Sequence, residues 1–197
     1  MSFPNIRTSV ALITLAFTGL FHTTAFAGWT LDGYASSLYY VTSKAAAVSE
    51  LNSFAELSGS IDDNGNASVV ISLASVDTAI DIRNERMREI VFQVASFPLA
   101  TVNLQAEQIN TMSAGDTRMQ TYDAVVDLHG IEATVSVDVM VTALKNGGLL
   151  VSLARPLIIN AGTFGLADSV EQLREIAGLP SINNNVVVDF TLQFDAD

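Results

Sequence analysis

The sequence predicts an all-β protein, folded as an eight-stranded antiparallel barrel with two short helical inserts. Apolar residues largely alternate with polar ones over residues 122–128, 133–143 and 186–194, which is typical of strands that bury one face only. The segments DNG at 63–65 and NGG at 146–148 favour hairpin turns. Short turns between consecutive strands predict an up-and-down order. Eight strands close a barrel just wide enough for side chains or one small ligand.

Runs of strand-forming residues between turn signals mark the eight strands. They lie at roughly 29–43, 50–61, 66–76, 100–110, 118–129, 131–144, 149–160 and 185–194. Pro156 lies inside the seventh run, and because proline has no backbone N–H, we expect a bulge or a local break in pairing there. Neither repeats nor a linker-like change of composition divides residues 28–197, so they fit one domain.

The two helical inserts are predicted between strands. Asn84 is expected to cap a short helix that carries Met87, Ile90 and Val91 on one face. Ion pairs Glu85–Arg88 and Arg86–Glu89 would lie on its other face. Both inserts are interpreted as lids packed on the barrel or its mouth.

The second insert begins with a pattern similar to a capping box, formed by Asp168 and Glu171. Gly178 and Pro180 mark its end. Its inward face is predicted to comprise Val170, Leu173 and Ile176.

Residues 1–27 have the pattern of a secretory signal peptide. After Arg7, an apolar run over residues 10–21 leads to an A-x-A site at 25–27. The run is short for a membrane span, so we expect cleavage before Gly28, with an uncleaved anchor as the alternative. Because the chain has no cysteine, it cannot be a lipoprotein. The mature chain is expected to be soluble and periplasmic.

The charge and the absence of cysteine exclude several partners and chemistries. Arg7 is the only charged residue of residues 1–27, so the formal net charge of −12 becomes −13 after cleavage. Such a surface repels nucleic acid and anionic lipid head groups. Without cysteine there are no disulfides, thiolate metal sites or cysteine nucleophiles. No cofactor is expected, and the sequence leaves a homodimer open.

Metal binding and catalysis have weak signals. Asp62, Asn64 and Asn66 have the alternate spacing that begins a calcium loop, but Leu73 occupies the twelfth position, where a bidentate Glu is needed. A plain hairpin turn is therefore favoured. His129 is the only His after Gly28, and a structural, hydrogen-bonding role is favoured over catalysis.

Three cations lie within six residues at Arg83, Arg86 and Arg88. One interpretation is an anion or head-group clamp at the barrel mouth. The favoured alternative is pairing with the interleaved acids, which are Asp77, Asp81, Glu85 and Glu89.

The segment SVDTAIDIRNERMREIVFQVASFPLAT at 75–101 resembles the YceI-like family. Its signature is a strand running into S-V-x-T, an Arg, a short helix with Met or Leu, and F-x-x-x-x-F-P-x-A. Further pieces follow in the family's order, namely WTLDGYASSLYYVTSK at 29–44, DLHG at 127–130 and INAGTFGL at 159–166. The signature residues are Ser75, Val76, Thr78, Arg83, Met87, Phe92, Phe97, Pro98 and Ala100.

The chain departs from the family at polar positions. Ala35 and Lys44 occupy positions at which many members carry His. Around the motif that corresponds to Asn160–Phe164, the family often has an Arg and an Asp, whereas this chain has Ala161 and Thr163 there. Head-group contacts of other members therefore cannot be transferred to these positions.

The resemblance implies a lipocalin-like barrel with a central tunnel for a long apolar lipid such as a polyisoprenoid. Together with the predicted signal peptide, it leads to the hypothesis of an exported, non-enzymatic protein that transports, stores or sequesters an isoprenoid or fatty-acyl ligand. Arg83 is the head-group candidate. The residues expected to contact the ligand are Leu38, Tyr40, Phe54, Met87, Phe92, Tyr122, Ala124, Val126, Val135, Val137, Val139, Val151, Leu153, Phe164, Phe190 and Leu192.

Other functions remain alternatives at this point. The barrel interior could be solid, and the protein would then be a periplasmic interaction or structural protein with no small ligand. A hydrolase built around His129 is a third class. Stable membrane insertion as an outer-membrane barrel is disfavoured, because outward aspartates such as Asp123 and Asp138 would face lipid.

Overall fold

The computed structural model describes residues 28–197, so the predicted signal peptide and its cleavage site at Ala27 lie outside or at the edge of the described residues. Within that range eleven strands form one antiparallel sheet. The strands are β1 (Trp29–Lys44), β2 (Val48–Phe54), β3 (Leu57–Ile61), β4 (Asn66–Ser72), β5 (Val76–Asp77), β6 (Leu99–Gln105), β7 (Thr117–Leu128), β8 (Ile131–Ala143), β9 (Leu149–Leu153), β10 (Leu157–Asn160) and β11 (Asn185–Ala196). The helices are α1 (Asp81–Arg86), which continues into a π-helical turn (Met87–Val91), and α2 (Ala167–Ile176).

The sheet closes into a barrel because β11 pairs with β1. The wall runs in the order β1, β3, β4, β6, β7, β8, β9 and β11, so each barrel strand neighbours the next in sequence. This confirms the predicted eight-stranded, up-and-down barrel. The remaining strands extend the wall at one end, where β2 continues beside β1, β10 continues beside β11, and β5 pairs with β2.

The break predicted at Pro156 is confirmed. Residues 154–156 separate β9 from β10, and both strands pair with β11. Proline cannot donate to the sheet, so the ladder is interrupted where it stands. The run predicted at 50–61 is likewise divided into β2 and β3 by residues 55–56.

The strand predicted at 100–110 is too long at its end. β6 stops at Gln105, and Ile109–Thr111 forms a 3₁₀ turn. Gln108 has a φ of +60°, which a strand cannot contain. This left-handed residue turns the chain inward, so that Ile109 is 5% exposed and packs against the barrel core.

The first helix begins earlier than the sequence suggested. α1 starts at Asp81, so the prediction that Asn84 caps it is wrong. Asn84 instead lies inside the helix, where its Oδ1 accepts hydrogen bonds from the Thr78 backbone N–H at 2.8 Å and the Thr78 hydroxyl at 2.5 Å. Met87 and Val91 are buried, as expected, while Ile90 is half-buried.

The second helix ends before Gly178, as predicted, but the predicted cap at its N-terminus does not form. α2 begins at Ala167, and Asp168 makes no capping hydrogen bond. Gly178 follows the helix with a φ of +64°, a conformation that glycine adopts without strain. Ile176 is 45% exposed, so its predicted inward position is wrong. It lies six residues from Val170, which turns it about 120° away at 3.6 residues per turn.

Two apolar clusters fill the fold. The larger lies within the barrel, and the smaller joins the end of the barrel to the helical inserts. Among residues 28–197, neither helix has the length and apolar character needed to cross a membrane.

Candidate ligand-binding cavity

A cavity of about 320 Å³ lies inside the barrel. Its wall combines inward residues of the barrel strands with residues of both helical inserts. The volume lies at the lower end of the range of about 300–1,000 Å³ that is usual for ligand pockets. The barrel is therefore hollow.

Strand alternation explains why the wall is apolar. β7 and β8 pair so that Ala124 lies opposite Val135 and Tyr122 lies opposite Val137, and all four line the cavity. Because side chains alternate between the two faces of a strand, Asp123 and Ser136, which lie between them, point outward. Ala124 leaves space where a larger residue would fill the barrel.

Small residues leave the rest of the space. Of the three alanines Ala124, Ala133 and Ala143 on β7 and β8, only Ala124 lines the cavity. Ala143 is buried in the barrel core and Ala133 packs against the lid-side cluster. The other small residues in the wall are Ala67, Ala100, Ala106 and Ala161.

Residues at both ends of the barrel contribute to the cavity wall. At one end the π-helical turn contributes Met87 and Val91, and α2 contributes Val170 and Leu173. At the other end Ile109, in the 3₁₀ turn after β6, lines the cavity. An apolar chain inside would contact apolar side chains along its length. The prediction that both inserts act as lids is consistent with this placement.

Aromatic rings form a continuous group at the lid end. The Tyr40 and Phe54 rings are stacked with centroids 5.5 Å apart, and the Phe54 and Phe92 centroids are 5.7 Å apart. All three line the cavity. Burial raises the pKa of Tyr40 strongly, and the charge of Arg83 opposes this only in part. The tyrosine is therefore neutral.

Arg83 is part of an ionic cluster beside this group. Its guanidinium lies 2.5 Å from Glu50 Oε2, and the Lys44 ammonium lies 2.9 Å from Glu50 Oε1. Arg83 also donates to the Thr78 carbonyl. The Arg83 hydrogen bond, supported by Lys44, holds the pKa of Glu50 below its usual range against the effect of burial.

These contacts correct the predicted pairing of the arginines. Arg83 pairs with Glu50, and not with Asp77 or Asp81. Among the residues that the structure covers, the expected pairs Glu85–Arg88 and Arg86–Glu89 do not form. Arg83 does not line the cavity, so its head-group role stays a prediction.

His129 has a structural environment. It has a φ of +60° at the β7–β8 turn, and its ring centroid lies 4.2 Å from that of Phe97. The predicted hydrogen bond is wrong, since Nε2 is buried with no partner among residues 28–197. Gly130 has a φ of +74°, and a Cβ there would lie 2.9 Å from Phe97. The His-Gly sequence thus meets a packing requirement of the turn.

The candidate calcium loop is a hairpin turn between β3 and β4. Asp62 Oδ1 accepts from the backbone N–H groups of Asn64 at 2.9 Å and Asn66 at 2.8 Å, and its Oδ2 accepts from Asn66 Nδ2 at 2.7 Å. These bonds, led by that of the Asn66 side chain, lower the pKa of Asp62. No cluster of His and acidic residues suited to a metal occurs in residues 28–197.

The predicted ligand-contacting residues come together with one exception. All of them line the cavity except Leu153, which packs half-buried against the barrel core at the end of β9. The wall also contains residues that the sequence did not identify. On the third, fourth and sixth strands these are Leu57, Ile61, Ala67, Val69, Ile71, Ala100, Val102 and Leu104.

Alternation could have identified Ala100, Val102 and Leu104, since polar residues lie between them on β6. On β4 the pattern is hidden. Residues 69–71 read Val-Val-Ile, and a continuous apolar run does not show which residues face inward. The register of β4 with β6, which sets Val69 opposite Val102, resolves the ambiguity. Only the structure supplies that register.

Comparisons with known proteins agree with this architecture. A polyisoprenoid binding domain from Saccharophagus degradans is 36% identical, has a TM-score of 0.83, and aligns over 86% of this chain and 98% of its own. BcnA of Burkholderia cenocepacia shares the fold at 20% identity and a TM-score of 0.65, over 83% of this chain and 98% of its own. No curated protein gave a significant match. The profile of the YceI-like domain matches residues 29–194, and the chain therefore belongs to the YceI-like family.

Proposed function

We propose that this protein binds one long apolar lipid, of isoprenoid or fatty-acyl type, inside its barrel, and that it transports, stores or sequesters this lipid. The observation that carries the proposal is the cavity of about 320 Å³ inside the barrel, with its apolar wall. Each methylene group buried there contributes about 0.8 kcal/mol. A long chain can therefore bind tightly through burial alone, without a catalytic group.

The similarity to the Saccharophagus degradans domain supports the class of ligand. That domain is described as polyisoprenoid binding and is 36% identical to this chain. An isoprenoid or acyl chain is long, flexible and apolar, which matches a cavity that extends from the lids to Ile109.

We place the protein in the periplasm. The apolar run and the A-x-A site of residues 1–27 support export. In water, a lipid of this type needs a carrier that covers it. A barrel with an apolar interior meets that need.

The alternatives receive less support. A solid-core interaction protein would have no cavity of this size inside the barrel. A hydrolase would need a nucleophile hydrogen-bonded to His129, and no such bond exists in the described range, where His129 Nε2 is buried without a partner.

Equilibrium titration tests the proposal. A fluorescent long-chain alkyl probe should bind the purified mature protein at one site per chain, and unlabelled isoprenoid or fatty-acyl lipids should displace it. Probe that binds without saturation, or that no lipid displaces, would contradict a defined cavity site.

A further inference from the structure

The hydroxyl of Tyr40 is the one polar group of the aromatic cluster at the lid end. Tyr40 is 8% exposed and lines the cavity, and its hydroxyl is buried with no hydrogen-bond partner among residues 28–197. A buried hydroxyl without a partner lowers stability. Such groups are few in native proteins, and each requires an explanation.

The neighbours of Tyr40 cannot satisfy this hydroxyl. The ring stacks on Phe54, and the surrounding cluster is apolar. Its members include Leu73, Val76, Met87, Val91, Phe92 and Phe164.

The nearby polar groups are already occupied. The Asn52 side-chain amide donates to the Tyr40 carbonyl at 3.4 Å and to the Thr42 hydroxyl at 3.2 Å. Glu50 is held by Lys44 and Arg83. The Tyr40 hydroxyl thus bonds to none of residues 28–197.

The group that would satisfy Tyr40 is a hydrogen-bond acceptor. Burial keeps the phenol protonated by raising its pKa, so it presents an O–H donor. An unpartnered donor that faces the cavity favours an oxygen acceptor on the ligand.

The acceptor should carry no charge. Neither Arg83 nor Lys44 lines the cavity, so neither cation faces a group placed beside the Tyr40 hydroxyl. The residues around Tyr40 are apolar. A further ion buried there would lose its hydration without a free counter-ion.

We propose that the lipid is an apolar chain bearing an uncharged oxygen, a carbonyl or a hydroxyl, which accepts a hydrogen bond from Tyr40. This inference rests on the proposed function and specifies the ligand further. The oxygen lies at the lid end, and the chain extends away from it toward Ile109 at the opposite end of the cavity.

Three ligands of equal chain length test this: a straight-chain alkane, its methyl ketone and the alkyl phosphate. Each is titrated into wild type, Tyr40→Phe and Tyr39→Phe. Tyr39 is the matched control, because it is the adjacent residue of β1 and is 41% exposed on the outer face. The ratio of ketone affinity to alkane affinity should fall about tenfold in Tyr40→Phe, as expected for one lost hydrogen bond, and should not change in Tyr39→Phe.

The same experiment shows which statement fails. An unchanged ratio in Tyr40→Phe, with the alkane still bound by wild type, overturns the role of Tyr40 and leaves the proposed function standing. Phosphate bound more tightly than ketone by wild type overturns the uncharged oxygen. If wild type binds none of the three, the proposed function itself fails, and this inference with it.

Ligand-free stability provides a second measurement. Because the hydroxyl has no partner in the part of the chain that the structure describes, Tyr40→Phe should melt no lower than wild type. A lower melting temperature would show that the hydroxyl is satisfied without a ligand, and it would overturn the proposal.

Discussion

Arg83 of α1 and Glu50 of β2 form an ion pair with 2.5 Å between Nη1 and Oε2, across 33 residues of sequence. Both side chains are about a quarter exposed, at 22% and 25%. The pair attaches the first helical insert to the barrel wall beside the aromatic cluster of the cavity. It therefore helps to hold a lid in place.

The first prediction concerns this ion pair. Arg83→Gln should lower the free energy of unfolding by about 1–2 kcal/mol, between the values for exposed and fully buried pairs. Arg86→Gln is the matched control, because Arg86 is on the same helix and has no ion pair among the described residues. Chemical denaturation measures both. Equal stability of the two variants would contradict the structural role of Arg83. If Arg83→Gln instead binds anionic lipids selectively more weakly, with unchanged stability, the head-group role is supported.

The second prediction concerns acid stability. The folded pKa of Glu50 is lowered, chiefly by the Arg83 hydrogen bond, so its contribution is present above the unfolded pKa of about 4.3 and is lost as the pH falls through the folded pKa. Wild type should melt higher than Glu50→Gln at neutral pH, and this difference should shrink as the pH falls below about 4. A difference that stays constant with pH would count against the pair. Hydrogen bonds also lower the pKa values of Asp62 and Asp138, so these groups contribute to the loss of wild-type stability in acid. The difference between wild type and Glu50→Gln isolates the contribution of Glu50.

The third prediction is that filling the cavity expels the ligand without unfolding the protein. Ala124→Phe or Val137→Phe should weaken binding of a long-chain probe by more than about tenfold, because the added ring occupies space that the chain needs. Overpacking should lower the free energy of unfolding by about 1–3 kcal/mol. Circular dichroism should remain of the β type. Val125→Phe is the control, since Val125 neighbours Ala124 but is 39% exposed on the outside. Unchanged probe binding by both inward variants would place the ligand elsewhere.

The fourth prediction concerns export. If residues 1–27 are a signal peptide, protein from the periplasmic fraction should begin at Gly28, after the A-x-A site. N-terminal sequencing measures this. A chain that still begins with Met1, or one retained in the membrane, would contradict it.

Local sequence patterns predicted most of the wall of the barrel. Alternation identified β7, β8 and β11 and their inward residues, because one buried face imposes a period of two. It did not resolve residues 69–71, where every side chain is apolar. Pro156 predicted its break correctly, since the missing N–H is a property of the residue itself.

Features that depend on contacts distant in sequence could not be predicted. The partner of Arg83 was sought among nearby acids, whereas Glu50 approaches only when β2 and α1 pack together. Asn84 was read as a helix cap because Asn favours that position, but Thr78 offers it two hydrogen bonds. Ile109 lines the cavity through the left-handed conformation of Gln108, for which the sequence contains no glycine or asparagine signal.

Native mass spectrometry of protein purified without detergent tests the central claim most directly. The account predicts that each chain carries one lipid of discrete mass, that organic extraction removes it, and that Ala124→Phe is purified without it. Wild-type protein that shows only the mass of the mature chain, and that takes up no long-chain lipid when lipid is added back, would contradict a lipid-binding barrel.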